Sequence, residues 1–124
     1  MRGHGDSGGG SYAEFRTPAQ WRALEGDAHA AVEWLAKARH VAPERVVLAG
    51  ASLGANIAVR AAANEPRAAL AVLLSPGWSY QGVTLPDAVA ACGRPIVFAA
   101  AADDAYAFKS AQEALRIARR PESV

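Results

Sequence analysis

The sequence lacks most of the features that mark secreted, membrane-spanning or nucleic-acid-binding proteins. Its single cysteine, Cys92, cannot form an internal disulfide, and without a Cys or His pattern around it the residue is typical of core packing. No apolar run reaches the ~18 residues needed to cross a bilayer, and residues 1–10 lack the apolar segment of a signal peptide. The 13 basic and 12 acidic side chains give a net charge of +1 without a dense basic cluster, which argues against nucleic acid or an anionic membrane as a partner. These absences predict a soluble, cytoplasmic protein.

The residues that are present predict one globular domain that begins with a loop and a long helix. Of the 124 residues, 52% are hydrophobic and 20% are charged, a balance typical of a folded domain. After a Gly- and Ser-rich loop, Thr17-Pro18 is typical of a helix start, with threonine as N-cap and proline at the first helical position. Helical spacing of apolar residues predicts that this helix ends near His40. Its apolar face consists of Trp21, Leu24, Ala28, Ala31, Val32 and Leu35.

Three short apolar runs are predicted to be buried strands, covered on both faces. They span residues 46–49, 69–74 and 96–100. The predicted helices that follow them span residues 55–63, 86–92 and 106–119, with a polar loop after residue 74. Strands separated by helices pair in parallel through right-handed crossovers, so the sequence predicts an α/β fold with a parallel sheet of about three strands and helices on both faces. Such sheets bind ligands beyond the carboxyl ends of their strands.

A candidate catalytic motif lies between the first predicted strand and the helix that follows it. Gly50-Ala51-Ser52-Leu53-Gly54 has the G-x-S-x-G spacing of a nucleophile elbow, in which a sharp turn lifts a serine above the sheet. At Gly50 and Gly54 a Cβ is expected to collide with its neighbours in so tight a turn. Leu53 is expected to offer its N–H to a developing oxyanion. The alternative interpretation is an ordinary glycine-rich turn.

Two other motif interpretations are weaker. Residues 5–9 (Gly-Asp-Ser-Gly-Gly) imitate the serine motif of trypsin-like proteases, but those enzymes are paired β-barrels whose His and Asp precede the serine. A nucleotide-binding turn at residues 50–54 would hold phosphate at the start of the next helix. That turn lacks both the P-loop lysine and the G-x-G-x-x-G spacing, so residues 50–54 are interpreted as a nucleophile elbow.

The order of four motifs resembles the α/β-hydrolase family along nearly the whole chain. Residues 2–7 (Arg-Gly-His-Gly-Asp-Ser) are similar to the loop after the family's fourth strand, and the serine motif is similar to the end of its fifth. Residues 74–77 are similar to the end of the sixth strand, and residues 94–98 to the seventh. Residues 1–124 are thus interpreted as a partial domain, from the loop after strand 4 through the helix after strand 7. The resemblance is greatest to bacterial hydrolases of the serine-aminopeptidase, dienelactone-hydrolase and esterase type.

This resemblance implies a catalytic triad of which one member is missing. Ser52 would form an acyl-enzyme with a small-molecule ester, amide or related acyl substrate, and no cofactor or metal is implied. The triad acid is implied in the Asp103-Asp104 pair, where the family's spacing favours Asp104, although either carboxylate could instead cap the last helix. The family's histidine follows an eighth strand, and no histidine follows Ser52 in this sequence. We therefore expect the isolated chain to be nearly inert.

Other residues have both a functional and a structural interpretation. Trp78 and Tyr80 follow the second predicted strand and either line an acyl or aromatic substrate pocket or pack their own loop, and the same holds for Tyr106. The strand at residues 46–49 is expected to be an open hydrophobic edge, which predicts self-association. The alternative function is therefore a non-catalytic hydrolase-like module that dimerises or binds a partner through this edge. The histidines His4, His29 and His40 are expected to shape a loop, cap a helix or face solvent.

Overall fold

The computed structural model describes residues 1–118 as a series of alternating helices and strands. The helices are α1 (Pro18–Arg22), α2 (Leu24–Arg39), α3 (Leu53–Asn64), α4 (Pro86–Ala91) and α5 (Ala105–Ala118). The strands are β1 (Val47–Ala51), β2 (Leu70–Leu74), β3 (Ser79–Tyr80), β4 (Val83–Thr84) and β5 (Ile96–Ala99). Residue 119, the predicted end of the last helix, lies outside the described residues. Within residues 1–118, every helix is too short or too polar to span a bilayer.

The strands β1, β2 and β5 form a parallel sheet with β2 at its centre, which confirms the predicted α/β fold. Leu48 pairs with Ala71, and Ala71 with Ile96, so the carboxyl ends of all three strands lie at one edge. The two crossovers advance in the same direction across the sheet, and right-handed crossovers of that kind place their helices on one face. The prediction of helices on both faces is therefore wrong for the part of the chain described.

The hydrophobic core lies between this sheet and the layer formed by α3, α4 and α5. Its fully or largely buried residues are Ala55, Ala58, Val59, Ala62, Ala71, Leu73, Leu85, Ala88, Val89, Cys92 and Ala114. Burial raises the pKa of the Cys92 thiol, as expected of a packing residue. The helix α2 packs on α3 through a second cluster that contains Leu24, Ile57 and Val83. Helix α3, which follows Ser52, is thus packed against the sheet and α4 through the first cluster and against α2 through the second.

Within residues 1–118, the opposite face of the sheet is apolar and uncovered. Val47, Leu74 and Val97 on this face remain 47%, 45% and 49% exposed. Residues in each strand alternate between this face and the covered one, because successive side chains of a strand point to opposite sides. The prediction that the strands at residues 46–49, 69–74 and 96–100 are covered on both faces is therefore wrong for the part of the chain described. A wholly apolar strand looks the same in sequence whether one face or both are covered.

The long helix predicted between Thr17 and His40 is divided into α1 and α2 at Ala23. Its predicted start is confirmed, because the Thr17 hydroxyl accepts from the N–H of Gln20 and the Gln20 side chain accepts from the N–H of Thr17. At the division, the N–H of Gly26 donates to the carbonyl of Ala23, three residues back rather than four. Its predicted end is also confirmed, since His40 follows α2 in the left-handed conformation with φ 54°.

The segment interpreted as a polar loop contains a small antiparallel hairpin. In it β3 pairs with β4, and the two turn residues Gln81 and Gly82 have φ of 53° and 74°. Positive φ at both central residues is what a tight hairpin turn requires. A Cβ at Gly82 would also lie 2.6 Å from the Cγ of Pro18. The Gln-Gly pair at these positions was the available sequence signal for this turn.

Candidate active site

Ser52 occupies a strained turn between β1 and α3. Its φ of 53° and ψ of −124° lie outside the regions that residues with a Cβ ordinarily adopt. The turn is held by backbone hydrogen bonds, since the N–H of Ser52 donates to Leu74 (2.9 Å) and its carbonyl accepts from Ala55 (3.0 Å). The side chain is exposed. Such strain costs about 1–3 kcal/mol and persists only where the surrounding structure imposes it.

The two glycines of the motif differ in their surroundings. A Cβ at Gly50 would overlap the carbonyl group of Gly54 and lie 2.8 Å from the backbone nitrogen of Ala55, so the predicted steric need for glycine is confirmed there. A Cβ at Gly54 would have no atom within 4 Å in the described structure. The steric prediction is therefore wrong for Gly54, because the turn brings Gly54 against Gly50 by its carbonyl and leaves its Cα hydrogens facing open space.

Leu53 places a backbone donor directly after Ser52. It is the first residue of α3, so its N–H has no acceptor within the helix. Among residues 1–118, the N–H groups of Leu53 and Gly54 have no hydrogen-bond acceptor. Two unpaired donors at the start of a helix of 12 residues provide a positive potential beside the Ser52 side chain. An oxyanion hole needs a free N–H group beside the nucleophile, and the N–H of Leu53 meets this requirement.

Asp104 follows β5 and caps α5. Its Oδ1 accepts the N–H of Ala107 at 3.1 Å, and its carbonyl accepts the N–H of Phe108 at 2.8 Å. The structure therefore assigns the helix-capping role, left open between the two neighbouring aspartates, to Asp104 rather than to Asp103. Capping uses Oδ1 and is compatible with a second partner on Oδ2, since a carboxylate accepts several hydrogen bonds.

The ends of the three parallel strands bring three polar residues to the same edge of the sheet. Ser52 follows β1, Ser75 follows β2 and Asp104 lies beyond β5. Because β2 lies between the other two strands, the carboxyl ends of β1 and β5 are two strand spacings apart, roughly 10 Å at about 4.8 Å each. Ser75 has φ 46°, and its N–H donates to Ala99 at 2.7 Å, a second strained serine that the sequence did not reveal.

The three histidines make contacts elsewhere. The His4 ring stacks on Tyr12 at 4.6 Å between centroids, and its Nδ1 lies 3.0 Å from the carbonyl oxygen of Arg2. The His29 Nδ1 lies 3.5 Å from Oε2 of the buried Glu65, and His40 ends α2. None of the three contacts Ser52 or Asp104 in the described structure, in agreement with the structural roles expected for them.

The aromatic residues after β2 divide between the two interpretations given to them. Trp78 is 41% exposed and lines a cavity of about 390 Å³, together with Tyr106. Tyr80 is not among the lining residues, and its ring packs edge-on against Tyr106 at 5.6 Å between centroids. The pocket interpretation thus fits Trp78 and Tyr106, whereas the Tyr80 ring packs against Tyr106 of α5 and close to Gly77 of its own loop.

Asn56 is a residue of the site that belongs to none of the sequence motifs. It lies one turn after Ser52 in α3 and is fully buried. Its Nδ2 donates to the carbonyls of Gly77 and Val83, both at 2.8 Å, and its Oδ1 accepts from the N–H of Gly77 at 3.3 Å. Asn56 therefore joins α3, the helix after Ser52, to the segment that follows β2 and contains Trp78 and Tyr80. A polar residue on an otherwise apolar helix face was the available signal.

Comparison with known proteins identifies one family. A family profile described as alpha/beta hydrolase fold matches residues 14–116. No curated protein matches this chain, and no solved structure matches it. The match covers the whole sheet, the serine turn and nearly all of α5.

Proposed function

This chain belongs to the alpha/beta hydrolase fold family, and we propose that it is a serine hydrolase whose nucleophile is Ser52. The observation that carries this proposal is the strained backbone of Ser52, between β1 and α3 at the carboxyl edge of the sheet. A glycine there would adopt the same turn without strain. A serine is therefore costly for stability at this position, which favours a role for its hydroxyl.

The proposed reaction is acyl transfer through an ester of Ser52. The Ser52 oxygen bonds to the substrate's carbonyl carbon while a base takes the hydroxyl proton, and the N–H of Leu53 stabilises the oxyanion. The tetrahedral intermediate then breaks its bond to the alcohol or amine, which leaves with the proton. Water attacks the acyl-enzyme, releases a carboxylic acid and restores Ser52.

The base of this mechanism is an imidazole between Ser52 and Asp104, with Asp104 as the residue that orients it. The three histidines of the chain have their contacts elsewhere. Loss of the base lowers turnover by on the order of 10⁶-fold in a comparable triad. We therefore propose that these 124 residues are nearly inert on their own. The order of motifs further supports a small-molecule ester, amide or related acyl substrate, as in the esterase, dienelactone-hydrolase and serine-aminopeptidase branch.

A fluorophosphonate probe tests this proposal directly. We expect the 124-residue chain to be labelled slowly, and added imidazole to accelerate the labelling because it supplies the absent base. Peptide mass mapping should place the label on Ser52. The Ser52→Ala variant should not be labelled, whereas the matched Ser75→Ala variant, which removes the neighbouring strained serine, should be labelled normally.

Two results would contradict separate parts of the proposal. Labelling that persists in Ser52→Ala would show that Ser52 is not the nucleophile. Rapid, complete labelling of Ser52 without imidazole would show that the chain is not inert, because a base must then be present.

Self-association through β1 is the second candidate function, and the open edge of β1 favours it. The N–H of Ser52 and the carbonyl of Val46 bond toward β2. Because backbone groups of alternate residues point to opposite edges of a strand, those of Val47, Ala49 and Ala51 point away from the sheet. Val47 is also 47% exposed on the open apolar face. Such an edge pairs readily with a second copy.

A lysine on this edge is expected to prevent that pairing. Val47→Lys places a charge on the strand edge, which natural proteins use against edge pairing, and Val47 is exposed enough to accept it. Sedimentation velocity should show a smaller species than for the parent chain. Gln112→Lys adds the same charge on the exposed side of α5 and should leave the sedimentation unchanged. Identical sedimentation of Val47→Lys and the parent would argue against association at β1.

A further inference from the structure

A preformed cavity lies between the loop that follows β2 and one side of α5. Its volume of about 390 Å³ falls within the range of small-molecule sites. The lining residues are Trp78, Tyr106, Lys109, Ser110 and Glu113. None of them belongs to the serine turn, although Tyr106 lies two residues after Asp104.

Hydrogen bonds hold the walls of this cavity in place. The N–H of Trp78 donates to the Ser110 hydroxyl at 2.9 Å, and that hydroxyl donates to the carbonyl of Tyr106 at 2.8 Å. The Tyr106 hydroxyl accepts from the N–H of Ser79 at 3.1 Å and donates to its carbonyl at 3.0 Å. The loop and the helix are thus joined through both aromatic residues. A site with walls fixed in advance loses little freedom when a ligand enters.

The same contacts leave aromatic surface available to a ligand. Trp78 and Tyr106 remain 41% and 49% exposed, although the Trp78 backbone and the Tyr106 hydroxyl are fully engaged. Gly77 allows its loop to pack closely against two tyrosines, because a Cβ there would overlap the Tyr80 ring and lie 2.8 Å from the Tyr106 ring. Two half-exposed rings favour an aromatic or other flat apolar group.

The charge at the cavity rim favours an anion. Glu113 is neutralised by Arg116, whose Nη1 lies 2.7 Å from its carboxylate. Lys109 has no carboxylate within 4.0 Å among residues 1–118, so its charge is uncompensated there. The rim therefore presents one cation beside two aromatic rings.

We propose that this cavity binds a small aryl carboxylate, with its ring against Trp78 and Tyr106 and its carboxylate paired with Lys109. The two aromatic side chains favour a ligand with an aromatic ring, and the charge of Lys109 favours a ligand with a carboxylate. Because the proposed ligand contacts do not include Ser52, a failure of fluorophosphonate labelling would not contradict this binding site.

Calorimetric titration with three matched probes tests the site. 4-Phenylbutyrate should bind, whereas 4-phenylbutan-1-ol, which lacks the charge, and butyrate, which lacks the ring, should bind more weakly. Lys109→Gln should weaken 4-phenylbutyrate binding about three- to fivefold, the range of a solvent-exposed ion pair, and leave the alcohol unaffected. Lys37→Gln, which removes an exposed charge on α2, should change neither affinity.

Tryptophan fluorescence locates the ligand on the protein. Binding of 4-phenylbutyrate should change the emission of the parent chain and of Trp34→Phe, but not that of Trp78→Phe. Both tryptophans are exposed, so neither replacement should disturb the fold. Absence of binding, an alcohol that binds as tightly as the carboxylate, or an unchanged response in Trp78→Phe would overturn the proposal.

Discussion

Replacing Gly50 with alanine should destabilise the fold by at least about 3 kcal/mol, the upper range for overpacking a closed site. The new Cβ would overlap the backbone of Gly54 and crowd the nitrogen of Ala55. These are main-chain atoms at the start of α3, and they cannot move without opening the first turn of that helix. Urea unfolding followed by circular dichroism should show a large fall in the midpoint.

The matched replacement at Gly54 should behave in the opposite way. Alanine there meets no atom within 4 Å and is a better helix former, so Gly54→Ala should be neutral or more stable by up to about 1 kcal/mol. The motif by itself predicts equal sensitivity at the two glycines. A Gly50→Ala variant as stable as Gly54→Ala would show that the turn can relax, and the steric account of the elbow would then be wrong.

Replacing Ser52 with glycine should raise stability and abolish labelling at the same time. Glycine adopts the φ of 53° found at Ser52 without a Cβ clash, so unfolding should cost about 1–2 kcal/mol more, within the usual cost of such strain. The hydroxyl is lost, so imidazole should no longer promote fluorophosphonate labelling. Ser52→Ala keeps the strain and should lose labelling without gaining stability.

Ser75→Gly is the control that distinguishes the effect of relieved backbone strain on stability from the loss of the nucleophilic hydroxyl. Its φ of 46° is also positive, so this variant should gain stability as well, yet it should retain labelling at Ser52. A Ser52→Gly variant no more stable than Ser52→Ala would contradict the inference that Ser52 is held in an unfavourable conformation. The proposed cost of the serine to stability would then have no support.

Residue pattern alone was sufficient to predict the parallel sheet and the position of the serine turn. Apolar runs of four to six residues separated by helical spacing allow few topologies, because parallel strands need long crossovers. The N-cap at Thr17 and the Gly-x-Ser-x-Gly spacing are local features, determined within a few residues. The division of the first helix at Ala23 was not predicted, because one tightened turn leaves its apolar spacing nearly unchanged.

Contacts between residues that are distant in the sequence could not be predicted from the spacing of apolar residues. Asn56 lies 21 residues from Gly77, and nothing local indicates that its amide would meet that loop. The same applies to the cavity between Trp78 and α5, which depends on Ser110 reaching the backbone of a loop 32 residues away. Such contacts arise only when the crossovers bring separate segments together.

The sequence by itself determined the chain order of the three parallel strands and of the helices between them, the serine between two glycines and the acidic pair beyond β5, because each follows from local periodicity or spacing. Only the tertiary structure decided which glycine is sterically required, which aspartate caps α5 and that one face of the sheet is left open. The first depends on which backbone atoms meet in the turn, the second on the residue at which α5 begins, and the third on the face where the crossovers place the helices. A Cβ at Gly50 and one at Gly54 are equivalent in the motif, and only the path of the turn between them makes them different.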